Sequence, residues 1–345
     1  MTTQKILTVV IPTYNMEKYL RRCLDSFIMN EERMKKIEVL VVNDGSKDSS
    51  SQIAHEYQNR YPQTFRVIDK ENGNYGSCVN RGLKEATVKY IKVLDADDWF
   101  DNANFRTYLD TVKDLDVDLV LNEIVQIKPD GKIVNRDTFT FPKNEVFNFY
   151  PTTQKPRMHT IFYRTEIVRS VNYYQTEGIS YTDAQWTFLP MTAVRKAYYI
   201  PKVLYMYFSG REGQTMKAEV RMKTLSNRYE MIKGLFDAYD RHPQKDRDVS
   251  TWFKNRLMGQ INFFYFETLL NFKDEENVCL KDFDLYFKAT HPDLYNESQD
   301  CLVLTRKCPY KYVRYWRKHG KLNHCNIWLQ LYLLYIKMFR KDMFT

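Results

Sequence analysis

Three carboxylates fall within four residues at Asp95-Ala96-Asp97-Asp98, directly after the β-forming run Tyr90-Ile91-Lys92-Val93-Leu94. Oxygen donors clustered at a strand end suit a hard divalent cation whose remaining ligands are phosphate oxygens. A solvated turn or a helix N-cap would use the same residue types. Two more polar motifs end apolar runs in the same manner: Pro12-Thr13-Tyr14-Asn15 after residues 7–11, and Asn43-Asp44-Gly45-Ser46 after residues 37–42. Ligands of α/β sheets gather beyond the carboxyl ends of the strands, so three such motifs converging on one sheet edge define a site.

The elements that must position them alternate. Leu20, Leu24 and Phe27 recur at helical spacing after the first strand, which Pro12 is expected to stop. Asp48 or Ser49 can cap a helix carrying Ile53, Ala54 and Tyr57 on its inner face. A third strand over 65–68, a third helix over 74–86 and a fourth strand over 90–94 complete an α/β pattern with a largely parallel sheet. After Asp118 the pattern changes to longer strands over 119–127 and 132–141 around Pro129-Asp130-Gly131, a helix over 183–194, and an aromatic strand over 198–208. Beyond Met216 the apolar spacing is helical, over 225–239, 252–272 and 327–339, so a boundary is expected near 213–220.

The 345 residues carry a net charge of +9, which favours anionic partners or simple solubility. No clustered basic motif or known fold signature points to nucleic acid. The six cysteines show no CxxC spacing, and with no signal peptide in the sequence the expectation is a reduced, cytoplasmic protein. His319, His324 and Cys325 fit no common zinc spacing. No stretch reaches the roughly 20 apolar residues of a membrane span.

The phrases Val9-Val10-Ile11-Pro12-Thr13-Tyr14-Asn15, Val41-Val42-Asn43-Asp44-Gly45-Ser46, Asn72-Gly73 through Asn80-Arg81-Gly82, and Leu94-Asp95-Ala96-Asp97-Asp98 stand in the order and spacing of family 2 glycosyltransferases. Over residues 5–215 the chain resembles bacterial inverting enzymes of that family. The resemblance implies a GT-A (Rossmann-like) nucleotide-sugar-binding domain over 1–215, followed by a mostly α-helical region over 216–345. It departs from many relatives at Val79, where they have Arg, and at Val88, where they have Gly.

The resemblance implies a UDP-sugar donor, an Mn²⁺ or Mg²⁺ cofactor, and a cell-envelope glycan or lipid-linked saccharide as acceptor. The donor-binding residues it implies are Pro12, Tyr14, Asp44, Gly73, Gly76, Asn80, Arg81, Asp95, Arg211 and Gln214. Tyr14 can stack on the base or be an ordinary half-buried tyrosine. Asp44 can accept from the base or ribose, or cap the Gly45-Ser46 turn. Gly73 and Gly76 let backbone approach the sugar-phosphate, or mark a plain turn. Asn80 and Arg81 offer polar donors, although Arg81 equally suits a solvated face. Carried over residue by residue, Asp95 touches the ribose and Asp97 is the direct metal ligand, leaving Asp98 to cap the helix near Trp99. Relatives supply the catalytic base from an acidic pair at a helix start. Here Thr182 replaces the first member, so Asp183 alone remains. Arg211 and Gln214 fall in a segment resembling a lid loop over the donor diphosphate. His159 is read as packing.

Residues 327–339 are apolar and aromatic, broken by Gln330 and Lys337, and follow a basic, tyrosine-rich stretch at 306–321. They can dock as a core helix or lie in a headgroup plane, so a peripheral position on the inner face of the plasma membrane joins the expectations. The helical region can set the acceptor, form a homo-oligomer, or both. The rival function is a non-catalytic nucleotide-sugar or glycan-binding scaffold; the presence of both Asp97 and Asp183 counts against it.

Overall fold

Residues 7–13 are buried throughout and form β1 (Leu7–Thr13), as expected for a strand covered on both faces of a parallel sheet. In this computed structural model, which describes residues 5–150, 154, 156–210, 218–300 and 310–339, the chain divides into two units, Met1–Glu212 and Gly213–Thr345.

In the first unit β1 is followed by α1 (Leu20–Asp25), α2 (Glu31–Met34), β2 (Ile37–Asn43), α3 (Ser50–Arg60), β3 (Phe65–Asp69), α4 (Asn74–Glu85) and β4 (Tyr90–Val93). The four strands run parallel in the order β3-β2-β1-β4. Chain order reverses between β1 and β4, which opens the crevice where α/β sheets bind ligands. Pro12 does not stop β1; it continues in register with Val42, at a point where β4 has already ended and no second neighbour needs its missing N–H.

Then come β5 (Trp99–Phe100), α5 (Asn102–Val112), β6 (Leu119–Ile127), β7 (Ile133–Asp137), β8 (Val146–Asn148), β9 (Ile161–Arg164), α6 (Thr165–Ser170), α7 (Asp183–Trp186) and β10 (Lys196–Phe208). β9 inserts antiparallel between β4 and β6, while β10 pairs parallel to β6 and antiparallel to β5 and β8. Among the described residues this makes one mixed sheet of ten strands. Phe27 meets Phe65, Phe100 and Phe105 edge-on at 6.2, 5.4 and 5.6 Å, fastening α1 and α5 to the sheet through a shared aromatic core.

Two expected elements are shorter than their apolar spacing suggests. The strand over 132–141 is limited to β7, an exposed edge paired only with β6. The helix over 183–194 ends at Trp186 and resumes as a 3-10 turn at Pro190–Ala193, because Pro190 lacks the N–H an α-helix needs there.

The second unit holds α8 (Ala218–Lys223), α9 (Leu225–Arg241), α10 (Arg247–Tyr265), α11 (Val278–Thr290), α12 (Pro292–Ser298), α13 (Tyr312–His319) and α14 (Ile327–Phe339). Asp246 caps α10 through the N–H groups of Asp248 and Val249, and Asn277 caps α11 through that of Leu280. α10 runs into a π-helical turn at Phe266–Asn271, where buried Glu267 pairs with Arg221 and Arg228. No helix among the described residues is long and apolar enough to cross a membrane.

Candidate active site

At the carboxyl end of β2, Asp44 is buried and its Oδ1 collects donors: Lys70 Nζ at 2.6 Å and the Gly73 N–H at 2.9 Å. Gly45 follows at φ +71°, a left-handed turn that a side chain would strain. Lys70 also donates to Ser77 Oγ at 2.9 Å, so the ends of β2 and β3 and the start of α4 share one polar knot. Asp44 therefore arrives already partnered by a lysine that the motif reading missed. Lys70 stands directly after β3, and the rule that directed attention to the other strand ends would have found it. Tyr14, just past β1, is 45% exposed at this edge.

The acidic motif lies past β4. Asp98 is fully buried; its Oδ1 accepts from the Phe208 N–H and its Oδ2 from the Tyr205 hydroxyl, both at 2.7 Å. It does not cap a helix. Asp101 does, accepting from the Asn104 N–H at 2.8 Å, because Asp101 rather than Asp98 immediately precedes α5. Burial, reinforced by Asp97 and Asp95, holds the Asp98 carboxyl well above the usual carboxylate range. Asp95 Oδ1 accepts from the Tyr75 hydroxyl at 2.7 Å, and its Oδ2 lies 3.4 Å from His159 Nε2. The His159 ring is packed edge-on against Tyr205 and Tyr207, as a packing residue would be, yet it also faces the acidic motif.

One ligand atom each from Asp95, Asp98 and His159 lie within 4.8 Å of one another, and Asp97 is not part of that set. The donors fit a divalent cation. Three carboxylates crowd a buried site in which burial and mutual repulsion already raise Asp98, and a dication would relieve that repulsion. This is a mixed set of two carboxylates and an imidazole, where the sequence suggests oxygen donors alone. Arg22 supplies a cation from α1, bonding the Asp97 carbonyl at 3.0 Å while its guanidinium stacks on Trp99 at 3.8 Å.

Asp183 is exposed at the first position of α7. The loop that carries it is fastened to α4. Asn80 Nδ2 donates to the Gln175 carbonyl at 2.8 Å, and Asn80 Oδ1 accepts from the Gln175 N–H at 2.9 Å. Gln175 in turn donates to Thr182 Oγ1 at 2.9 Å, and the Gly178 N–H donates to the Gly73 carbonyl at 2.8 Å. A Cβ on Gly76 would lie 2.1 Å from the Thr176 carbonyl oxygen. The close approach that Gly76 permits is therefore to this loop, and the hydrogen bonds of Asn80 hold it. Burial pushes the hydroxyl of half-buried Tyr207 upward, with smaller contributions from Asp98, Asp95, Asp97 and Asp183.

Arg81 pairs with Glu85 at 2.9 Å on the exposed face of α4, the solvated-face alternative of the two it was given. Arg211 and Gln214 lie outside the described residues. Asn80→Leu is expected to lower sugar transfer by roughly tenfold to a hundredfold while leaving UDP affinity within about twofold, because what it loosens is the loop bearing Asp183. Steady-state kinetics beside calorimetric UDP titration checks this. A matching loss in UDP affinity would restore Asn80 to the donor site.

The mixed sheet, with its ligand edge past β1, β2 and β4, has the GT-A fold. The fold is shared with Staphylococcus aureus TarS residues 1–349, solved in complex with UDP-GlcNAc: TM-score 0.60 and 19% identity, over 92% of this chain and 93% of that one. Residues 8–173 match the sequence profile of Glycosyl transferase family 2. The uncharacterized glycosyltransferase MG025 of Mycoplasma genitalium is 39% identical over 108 residues, 31% of this chain and 36% of that protein. The putative glycosyltransferase EpsH of Bacillus subtilis is 35% identical over 132 residues, 38% of this chain and 37% of that protein. The chain thus spans little more than a third of the length of these curated relatives.

Proposed function

We propose that the protein is a divalent-metal-dependent, inverting glycosyltransferase that moves a sugar from a UDP-sugar to a hydroxyl of a cell-envelope glycan or lipid-linked saccharide. The observation that supports it most is the gathering of one ligand atom each from Asp95, Asp98 and His159 within 4.8 Å of one another, past the strand ends of a GT-A sheet. In this reading Tyr14 stacks on the base and Asp44, held by Lys70 and Gly73, accepts from base or ribose. Asp95, Asp98 and His159 would hold the cation, with Asp97 next to Asp98 in the chain. When bound, that cation offsets the negative charge of the departing diphosphate. Asp183 takes the proton of the acceptor hydroxyl as that oxygen attacks the anomeric carbon. Attack from the side opposite the diphosphate inverts the configuration. Arg211 and Gln214 are assigned to the diphosphate on the resemblance alone.

The test is UDP release from a panel of UDP-sugars with Mn²⁺ and no acceptor. Slow hydrolysis of one donor that requires the metal is the expected outcome, and it names the sugar. If no donor is hydrolysed and UDP binding does not depend on metal, the transferase reading fails and a nucleotide-sugar-binding scaffold takes its place.

A further inference from the structure

Residues 1–300 carry 42 Lys and Arg against 42 Asp and Glu, whereas residues 301–345 carry ten against one. The net charge of +9 therefore resides entirely in the last 45 residues. Within them, α14 leaves Ile327, Trp328, Leu331, Leu334 and Met338 between 50 and 66% exposed. At 100° per residue these five occupy an arc of about 120°, a continuous apolar stripe along three turns. Leu329 and Tyr332, on the neighbouring arc, are buried. The helix is thus seated by one face and presents a second apolar face outward. Exposed Lys318 and Lys321 precede it, and Lys337 borders the stripe.

A soluble chain rarely keeps so ordered an apolar stripe exposed without a use for it. The stripe needs an apolar phase, and the charge around it needs an anionic one. We propose that α14 docks the protein on an anionic lipid bilayer, lying in the headgroup plane with Trp328, Leu331 and Leu334 turned toward the acyl chains. The two signals, apolar insertion and basic attraction, are individually weak and jointly sufficient for reversible binding. A second copy of the chain is a poorer occupant, because pairing α14 with itself would bring together two segments that each carry ten basic residues against one acidic.

Co-sedimentation of the full chain with vesicles of equal parts phosphatidylglycerol and phosphatidylcholine tests this, with phosphatidylcholine alone as the neutral comparison. The expected result is binding to the anionic vesicles, about tenfold weaker at high salt. It should be at least about tenfold weaker again in Leu331→Asp/Leu334→Asp, whose circular dichroism should be unchanged. Tryptophan emission should shift to the blue on the anionic vesicles, and Trp328→Phe should abolish that shift. Absence of vesicle binding overturns the proposal, as does binding that the stripe variants leave intact. A wild-type dimer that Leu331→Asp/Leu334→Asp converts to monomer also overturns it, since the stripe would then be an interface between copies. None of these readouts uses sugar transfer, so the proposal can fail while the transferase reading stands, and the reverse.

Discussion

Asp183→Asn is expected to lower sugar transfer by about 10²–10⁴-fold, the range that a positioned general base contributes. Asparagine keeps the shape of the side chain and cannot accept the acceptor's proton. The loss should be this large because the chain has no second acid at this helix start. Thr182 stands there instead, and its hydroxyl is already engaged by Gln175 Nε2 at 2.9 Å. Tyr181 holds φ at 65°, a left-handed conformation uncommon for a bulky residue, and so fixes the chain direction just before Asp183. UDP affinity should stay within about twofold, since the proposed role of Asp183 is toward the acceptor. Kinetics with acceptor and calorimetry with UDP separate the two quantities. A loss of less than tenfold in transfer would mean that another group, or water, takes the proton.

The second large effect concerns the cation. His159→Gln is expected to raise the Mn²⁺ concentration needed for UDP binding by at least about tenfold to a hundredfold, the loss seen when a group supporting a metal site is removed. Asp98→Asn should do at least as much. The resemblance makes Asp97 the ligand, whereas the geometry gathers Asp95, Asp98 and His159. The two sets are separated by Asp97→Asn. If metal-dependent UDP binding survives Asp97→Asn and is lost in His159→Gln, the geometric set holds the ion. The opposite pattern returns the role to Asp97 and leaves His159 as an aromatic spacer between Tyr205 and Tyr207.

The α/β half was legible because its strands are buried on both faces, and such strands appear in sequence as short apolar runs ended by polar turns. The motifs at those ends were legible for the same reason: Asp44 and Asp95 each follow a run of β-formers. His159 was not. It precedes β9, which enters the sheet antiparallel between β4 and β6, and no periodicity announces which strand a segment will pair with. Asn80 was visible as a polar residue in a motif, but its work is done on Gln175, 95 positions away. Asp98 was misread because a helix cap and a buried acceptor use the same residue type, and burial is decided by tyrosines from β10. The lid residues Arg211 and Gln214 stay at the level of resemblance.

The fastening of the Asp183 loop to α4 has a consequence for anyone recombining this chain with its relatives. Gly76 and Asn80 belong to a helix, capped by Gly73, whose start also braces Asp44, so the loop bearing Asp183 and the strand end bearing Asp44 hang from one helix. A chimera that imports residues 174–186 from a relative to change acceptor preference would import a loop cut for a different helix face. It should misplace the residue it brings to position 183 unless positions 73, 76 and 80 travel with it.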